Sequence, residues 1–421
     1  MPDSVITEQL AINKDRLSRH MKQLSEYGRL GETGVCRPTL SPVEKEAFGK
    51  VAEWMEEAGM TVRLDNFGNL IGRKDGKDPD APVVMTGSHI DSQPAGGRFD
   101  GTVGVLSSIE AVHTMSEKGI IPDRPIEVVS FCDEEGWRFG KGLFGSRGIT
   151  GNLEAGELDR KDADGITRRQ ALREFGCDPD KIPESRFSPE SIHSFLELHI
   201  EQGPLLEKAD QPAGIVTGIA GPIWLTVKVK GFAGHAGTVP MAMRQDALVG
   251  ASEMIVAFHE IVKEDPEGTT VGTVGELNVS GASRNVIPEE VAFTIDLRDI
   301  DLDRRNRCEE LLRESFQRIA EKYHLKVDIT EDQNTKPSYC SPWIQDIIDS
   351  ESQALGLNAP TMMSGAFHDA LVMSSLCDYG MIFVRCREGI SHNPKEYASD
   401  DDLAVGAELL YRTLLRLAGD S

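Results

Sequence analysis

Residues 81–104 read APVVMTGSHIDSQPAGGRFDGTVG and hang reactive side chains on the end of an apolar run. Val83 to Thr86 leads into Ser88-His89-Ile90-Asp91, and a glycine-rich loop then reaches Asp100-Gly101. A second run, Ile126 to Cys132, ends in Asp133-Glu134-Glu135-Gly136. A third, from Phe195, carries His199 and continues into Glu201-Gln202-Gly203; a fourth, Met381 to Val384, leads to Ser391-His392-Asn393-Pro394. Open α/β sheets place their active sites at the carboxyl ends of such strands. Imidazole and carboxylate together form the donor set of Zn²⁺ and similar divalent ions. One histidine of this kind is as often a hydrogen-bonded core residue. His89, Asp100, Glu135, His199 and His392 together suffice for two ions if one carboxylate bridges. Asp100 is the best bridge, because Gly96 and Gly97 let the backbone fold close. Two ions ~3.5–4 Å apart clamp the attacking and leaving oxygens of a hydrolysis. The pattern therefore implies a metal-dependent hydrolase.

Neighbouring residues suggest supporting roles. Asp91, two residues after His89, is placed to accept the second ring N–H and fix the tautomer; the plainer reading is a turn residue. Glu134 and Glu135 point opposite ways on an extended segment. One can bind metal while the other faces the water and acts as general base. Cys132, beside them, reads as a small buried apolar residue rather than a nucleophile.

The elements that must position these groups alternate between strand and helix. Leu10, Leu17, Met21 and Leu24 mark a first helix, and Ser41, Pro42 and Glu44 form the capping box of a second that ends near Gly59. Strands flank Asn66–Asn69, and the Val83 and Ile126 strands enclose a helix through Val105, Ile109 and Val112. This predicts a mostly parallel α/β layer. Residues 150–195 read as charged and irregular, with short helices. After Pro212 the pattern changes: strand 215–230, helix 244–263, strands 270–279 and 289–298, helix 303–323 and strand Leu325 to Ile329. That is a ferredoxin-like β-α-β-β-α-β unit. A helix over 342–355 and the Met381 strand restore the first pattern. The expected organisation is a discontinuous metal-binding catalytic domain, 1–212 and 332–421, interrupted by a lid or dimerisation domain, 213–331.

Composition narrows the partners. Lys+Arg number 45 against 69 Asp+Glu over 421 residues, a formal net charge of −24. No basic patch is visible, so nucleic acid and anionic membrane surfaces are not expected partners. The first residues lack the basic and apolar regions of a signal peptide. Seven scattered cysteines without a CxxC fit a reducing cytoplasm.

The motifs GSHIDSQPAGGRFDG, DEEGWRFG, LHIEQGP, GFAGHAGTVPMAMRQDA, SRNVIP, IDLR and SHNPKE, in that order, resemble the amidase/hydantoinase–carbamoylase branch of the M20 metallopeptidase clan. The resemblance covers nearly the whole chain. It implies a homodimer with two divalent ions per subunit, Zn²⁺ first, with Mn²⁺, Co²⁺ or Ni²⁺ as alternatives. It assigns His89, Asp100 and His199 to one ion, Asp100, Glu135 and His392 to the other, and the general base to Glu134. His199 stands where many clan peptidases carry an acid, which favours the carbamoyl-amidase branch. Gln202, His235, Asn285, Arg298, Gly365 and Ala366 are implied substrate residues, with His235 and Asn285 also catalytic as oxyanion donors. Arg298 suits a two-point grip on a carboxylate. One segment departs from the family: SGAFHDA, Ser364 to Ala370, carries Phe367 where glycine is common, and a ring there narrows or reshapes the pocket. His368 and Asp369 still match and read as pocket or supporting residues. The implied reaction is hydrolysis of the ureido C–N bond of N-carbamoyl-L-amino acids, a small carboxylate-bearing substrate class. Allantoate or ureidoglycolate is the alternative substrate. A non-catalytic binding protein on the same scaffold is the rival of a different class.

Overall fold

A computed structural model of the chain describes residues 10–264 and 268–419. The first nine residues of the expected 1–212 segment lie outside the described residues. Helix α1 spans Lys14–Leu24, and Asn13 caps it by accepting the Arg16 N–H, so the helix starts after Leu10 rather than at it. Helix α2, Pro42–Glu57, is capped by Ser41, with Gly59 at φ +82° just beyond its end. Glu44 departs from the capping box: its carboxylate takes the Leu40 N–H instead of reaching Ser41.

The chain then forms β1 (Thr61–Leu64), β2 (Leu70–Lys74), β3 (Val83–His89), α3 (Thr102–Glu117), β4 (Ile126–Phe131), α4 (Phe144–Ile149), α5 (Arg168–Phe175), β5 (Ile192–Ile200), α6 (Leu205–Ala209) and β6 (Ala213–Ile219). Next come β7 (Gly221–Lys230), α7 (Ala247–Lys263), β8 (Val271–Thr273), β9 (Leu277–Ser280), β10 (Glu290–Asp299), α8 (Leu302–Lys322) and β11 (Lys326–Asn334). The last stretch supplies α9 (Pro342–Ala354), β12 (Thr361–Ser364), α10 (Asp369–Met373), β13 (Asp378–Val384) and α11 (Asp400–Leu417).

These elements form two compact units, one ending at Thr217 and resuming at Cys340, the other running from Gly218 to Tyr339. In the first, strands lie in the order β6-β13-β5-β3-β4-β2-β1. β13, β5, β3 and β4 are mutually parallel, and the outer pairs are antiparallel. β3 and β4 are buried at every position, as strands covered on both faces must be. α3 and α11 lie side by side against the parallel strands. The sheet is thus mixed, with a parallel centre.

The second unit has the order β8-β10-β7-β11, all antiparallel, with β9 also pairing β10. β10 alternates buried and half-buried residues, and α7 and α8 close its inner face around Phe258, Phe293 and Phe316. Three strand expectations need correction. The strand expected over 215–230 is two strands in different sheets, broken at Ala220. Gly221 allows the break, since a Cβ there would fall 2.3 Å from the Thr335 carbonyl oxygen. The strand expected over 270–279 is two short pieces, β8 and β9. The strand expected over Leu325 to Ile329 runs on as β11 to Asn334.

Candidate active site

Parallel strands send their carboxyl ends to one edge of the sheet, and the candidate ligands collect there. His89 is the last residue of β3, and His199 the penultimate residue of β5. Glu134 and Glu135 follow β4, His392 follows β13, and Asp100 precedes α3. His199 Nε2 lies 3.1 Å and His89 Nε2 3.5 Å from Asp100 Oδ1. On the other oxygen, His392 Nε2 lies 3.3 Å from Asp100 Oδ2 and 3.5 Å from Glu135 Oε2. Two triads result, His89–Asp100–His199 and Asp100–Glu135–His392, each with its ligand atoms within 4.8 Å of one another. Gly101 is demanded here: its φ is +61°, and a Cβ would sit 2.4 Å from His89 Nε2.

The hydrogen-bond pattern tests whether these residues fit a metal. His89 Nδ1 lies 3.0 Å from the Asp91 carbonyl and His199 Nδ1 2.9 Å from the Ile200 carbonyl. A carbonyl only accepts, so each Nδ1 carries the proton and each Nε2 presents a lone pair. The Gly101 N–H, donating to His199 Nε2 at 3.1 Å, agrees. Lone pairs of two imidazoles therefore face a carboxylate. Acceptors turned on acceptors need a cation between them, and the fit to divalent metal is good. Without one, protons fill the role. His392 is pushed up to about 9, chiefly by its bond to Asp100. Burial opposes protonation of His89 and His199, yet Asp100, with Glu134 beside His89, raises both. Asp100, though buried, is held well below the usual carboxylate range by the three histidines.

Glu134 and Glu135 diverge from a bent segment rather than an extended one, since Asp133 adopts φ +56°. Glu134 Oε2 lies 3.6 Å from His89 Nε2, whereas Glu135 turns to His392. Burial pushes the Glu134 carboxyl well up, and Glu135, Asp369 and Asp91 push it further, against His89. Glu135 rises to about 7, through burial and then Asp100. Asp91 meets His89 Nδ1 with its carbonyl oxygen at 3.0 Å and its carboxylate Oδ1 at 3.5 Å. The His89 ring proton goes to its carbonyl, and its carboxylate receives the backbone N–H groups of Glu134 at 3.3 Å and Glu135 at 3.2 Å. It thereby ties the β3 loop to the β4 loop.

Gln202 stands at φ +56° and donates to Asp100 Oδ2 at 2.9 Å, so it meets the candidate bridge directly. His368 packs edge-on against His199, ring centroids 4.5 Å apart, and bonds Ser364 Oγ at 2.8 Å. Gly365, Ala366 and Phe367 are half-buried in the turn after β12. Three contributors escaped sequence reading. Gln93 donates to Glu135 through its side chain at 2.7 Å and its backbone at 3.2 Å. Ser391 donates to Asp100 Oδ2 at 2.7 Å. Glu396, pushed to about 7 by burial and then by Asp100, accepts the N–H groups of Phe99 and Asp100. All three lie inside motifs already singled out, which was the available signal. Cys132 is fully buried, and burial, then Glu44 and Asp133, drives its thiol well up, away from nucleophilic use.

The other candidates lie in the inserted unit. His235 pairs with Val286 across two short strands, which brings it beside Asn285. Both side chains are exposed. His235 Nδ1 accepts the Gly237 N–H at 3.0 Å, and Asn285 Oδ1 accepts from Ser283 at 3.0 Å. Arg298, on β10, is held by Asp296 through Nε at 2.9 Å and Nη2 at 2.7 Å.

A parallel-centred sheet with a histidine–carboxylate centre at its carboxyl edge, interrupted by a β-α-β-β-α-β unit, defines a metal-dependent hydrolase. Residues 85–416 match the model of peptidase family M20/M25/M40, and the chain belongs to that family. It is 46% identical over 409 residues to an N-carbamoyl-L-amino-acid amidohydrolase of Pseudomonas sp. (strain NS671), covering 97% of this chain and 99% of that one. It is 37% identical over 424 residues to a ureidoglycolate hydrolase of Arabidopsis thaliana, covering 99% and 89%. The crystal structure of an amidase of the hydantoinase/carbamoylase family from Burkholderia multivorans superposes with a TM-score of 0.90 at 35% identity, covering 97% of this chain and 98% of that one. No helix among the described residues is long and apolar enough to cross a membrane.

Proposed function

We propose that the protein hydrolyses the ureido C–N bond of N-carbamoyl-L-amino acids, yielding CO₂, ammonia and the free amino acid. The observation that carries this reading is the acceptor-on-acceptor cradle of His89, His199 and Asp100 with Glu134 at its rim. His89, Asp100 and His199 would hold one divalent ion, and Asp100, Glu135 and His392 a second. Zn²⁺ suits the set first; Mn²⁺, Co²⁺ and Ni²⁺ also accept mixed imidazole and carboxylate donors. Bound ions supply Lewis-acid polarisation and acidify the attacking water. Glu134 takes the proton of that water and returns it to the leaving nitrogen. Its raised proton affinity, set by burial and then by Glu135 and Asp369, suits both transfers. His235 and Asn285 donate to the developing oxyanion. Arg298, its fork oriented by Asp296, receives the substrate carboxylate; Gln202, Gly365 and Ala366 line the pocket.

The substrate choice is supported by 46% identity to the carbamoyl-amino-acid amidohydrolase against 37% to the ureidoglycolate enzyme. Ammonia release over N-carbamoyl-L-amino acids, allantoate and ureidoglycolate, with added Zn²⁺ or Mn²⁺, is the test. Preference for either of the last two replaces the assignment, and no turnover on any leaves the binding-protein reading.

The same proposal makes the protein a cytoplasmic homodimer, with the inserted unit as lid and dimerisation domain. Seven cysteines without a disulfide among the described residues support a reducing compartment. The exposed His235, on a glycine-rich loop, is the candidate to serve a neighbouring subunit. Mixing inactive His235→Ala and Glu134→Gln proteins under subunit exchange then restores up to about half the sites in each heterodimer, because one site regains both groups. Proven exchange with no recovery removes His235 from a trans role.

A further inference from the structure

We infer that Arg168 is a positioning residue for Glu134, acting through Asp133. This rests on the reading of Glu134 as general base. The stretch between β4 and β5 reads in sequence as charged and irregular, yet it delivers a guanidinium to Asp133, next to Glu134. Arg168 is the first residue of α5, whose start is pinned by a full capping box between Thr167 and Gln170. Its side chain is 0% exposed. Nη2 donates to Asp133 Oδ2 at 2.6 Å and to the Lys141 carbonyl at 3.0 Å, and Nη1 donates to Glu157 Oε2 at 2.7 Å. The guanidinium carbon lies 4.2 Å from the Phe144 ring centroid and 5.0 Å from that of Phe139. Glu157 is also paired with Arg147, so the anchor is itself anchored.

The residue that Arg168 holds has a left-handed backbone. Asp133 has φ +56°, a left-handed conformation that non-glycine residues adopt at a cost and that Asp tolerates better than most, and it immediately precedes Glu134. Its backbone is tied down by a second segment: the N–H groups of Gly145, Phe144 and Leu143 donate to the carbonyls of Cys132, Asp133 and Glu134 at 2.8, 3.1 and 3.0 Å. Asp91 holds the following N–H groups from the other side. The Asp133 carboxylate is the one side-chain handle on the strained residue, and Arg168 grips it. Relaxation of Asp133 toward negative φ would swing the peptide that carries Glu134 away from His89. A displacement of about 1 Å at a reacting group costs on the order of 10²-fold in rate.

The test uses Asp133→Asn, Arg168→Lys and Arg168→Met, each alone and combined with Glu134→Gln, in the metal-loaded full chain with the best substrate of the ammonia screen. Asp133→Asn keeps shape and Arg168→Lys keeps charge, so at least these two survive if Arg168→Met fails to fold. The expected result is a fall in kcat of about 10–100-fold with KM and metal content near wild type. Arg168→Lys recovers only part of it, because an ammonium lacks the planar fork. In the Glu134→Gln background the same changes add little further loss, since the group they position is already inert. Wild-type kcat in soluble Asp133→Asn and Arg168→Lys overturns the proposal. So does an undiminished further loss on top of Glu134→Gln, the mark of a merely structural role. Glu134→Gln alone judges the base assignment: if it keeps wild-type kcat, that assignment falls and this proposal falls with it.

Discussion

Two of the carboxylate clusters that the molecule buries are built on opposite logic. Behind the sheet, Glu110 of α3 accepts the Asn13 N–H at 2.8 Å, Thr114 Oγ1 at 3.1 Å, and Arg16 through Nε at 2.6 Å and Nη2 at 2.8 Å. Every contact there matches a donor to an acceptor. At the carboxyl edge, Asp100 faces the lone pairs of His89 and His199. Both clusters are buried and charged, so burial alone does not tell structure from function. The donor count does: a balanced cluster is complete, whereas a cluster of facing acceptors is short of a cation. The same contrast appears in the histidines. Those of the cradle are raised by neighbouring carboxylates, whereas His20, stacked on Trp54 in the helical layer, is lowered to about 4 by burial and then by Arg19 and Arg16.

The largest effect that this contrast predicts is at Asp100. Asp100→Ala removes the one carboxylate common to both triads, so metal content falls at both positions and ammonia release drops to background. His392→Ala, at the exposed end, empties chiefly one. Metal analysis after dialysis against a defined trace of Zn²⁺ separates the two, and full occupancy in Asp100→Ala would remove it as the bridge.

Next in size is Glu134→Gln. It keeps the shape of the rim and removes the base, so kcat falls by at least ~10²-fold while metal content stays near wild type. Loss of metal from this variant, with Glu135→Gln retaining it, would exchange the two roles.

The balanced cluster answers oppositely. Glu110→Gln leaves Arg16 buried beside a neutral amide, with only the half-exposed Glu117 to compensate. We expect about 3 kcal/mol of lost stability, the low end for breaking a buried pair. Metal content and kcat per folded molecule stay unchanged. Urea unfolding of the metal-free protein reads the first and active-site titration the second; a catalytic defect without destabilisation would erase the distinction between the clusters.

Legibility in the sequence followed backbone determinism. The candidate ligands could be placed because an apolar run sets a strand, and a strand end sets a position at the sheet edge. His89, His199 and the Glu134–Glu135 pair were readable for that reason. The break at Ala220 was not, since β6 and β7 are both apolar and only the approach of Thr335 to Gly221 reveals a change of sheet. The role of Asp91 was half readable: its nearness to His89 is local, but its grip on the Glu134 and Glu135 N–H groups spans two loops. Arg168 was illegible, because nothing local marks a charged residue at a helix start as fully buried. Its partners, Asp133 and Glu157, converge only in three dimensions.

The smallest predicted effect concerns the sign of pH dependence. Burial, then Arg19 and Arg16, lowers His20 to about 4 in the fold, from about 6.5 for a solvated histidine. Between these values the unfolded chain binds the extra proton, so His20 supports stability fully above about pH 6.5 and loses that support as pH falls toward 4. The gap corresponds to about 3 kcal/mol at most, and partial solvent screening of the ring reduces the expected loss to about 1–2 kcal/mol. The metal-free cradle runs the other way: His392, raised to about 9, stabilises the fold below pH 6.5 and loses that contribution as pH rises through 9. His20→Phe keeps a flat ring against Trp54 and removes only the titration. Comparing urea midpoints at pH 5 and 7.5 for wild type and His20→Phe, both metal-free, isolates the one term, because the cradle contributes equally to both proteins. The variant should lose less stability than wild type on acidification. Equal losses would mean that His20 takes up its proton without leaving the stack, and that burial in the helical layer does not enforce its neutrality.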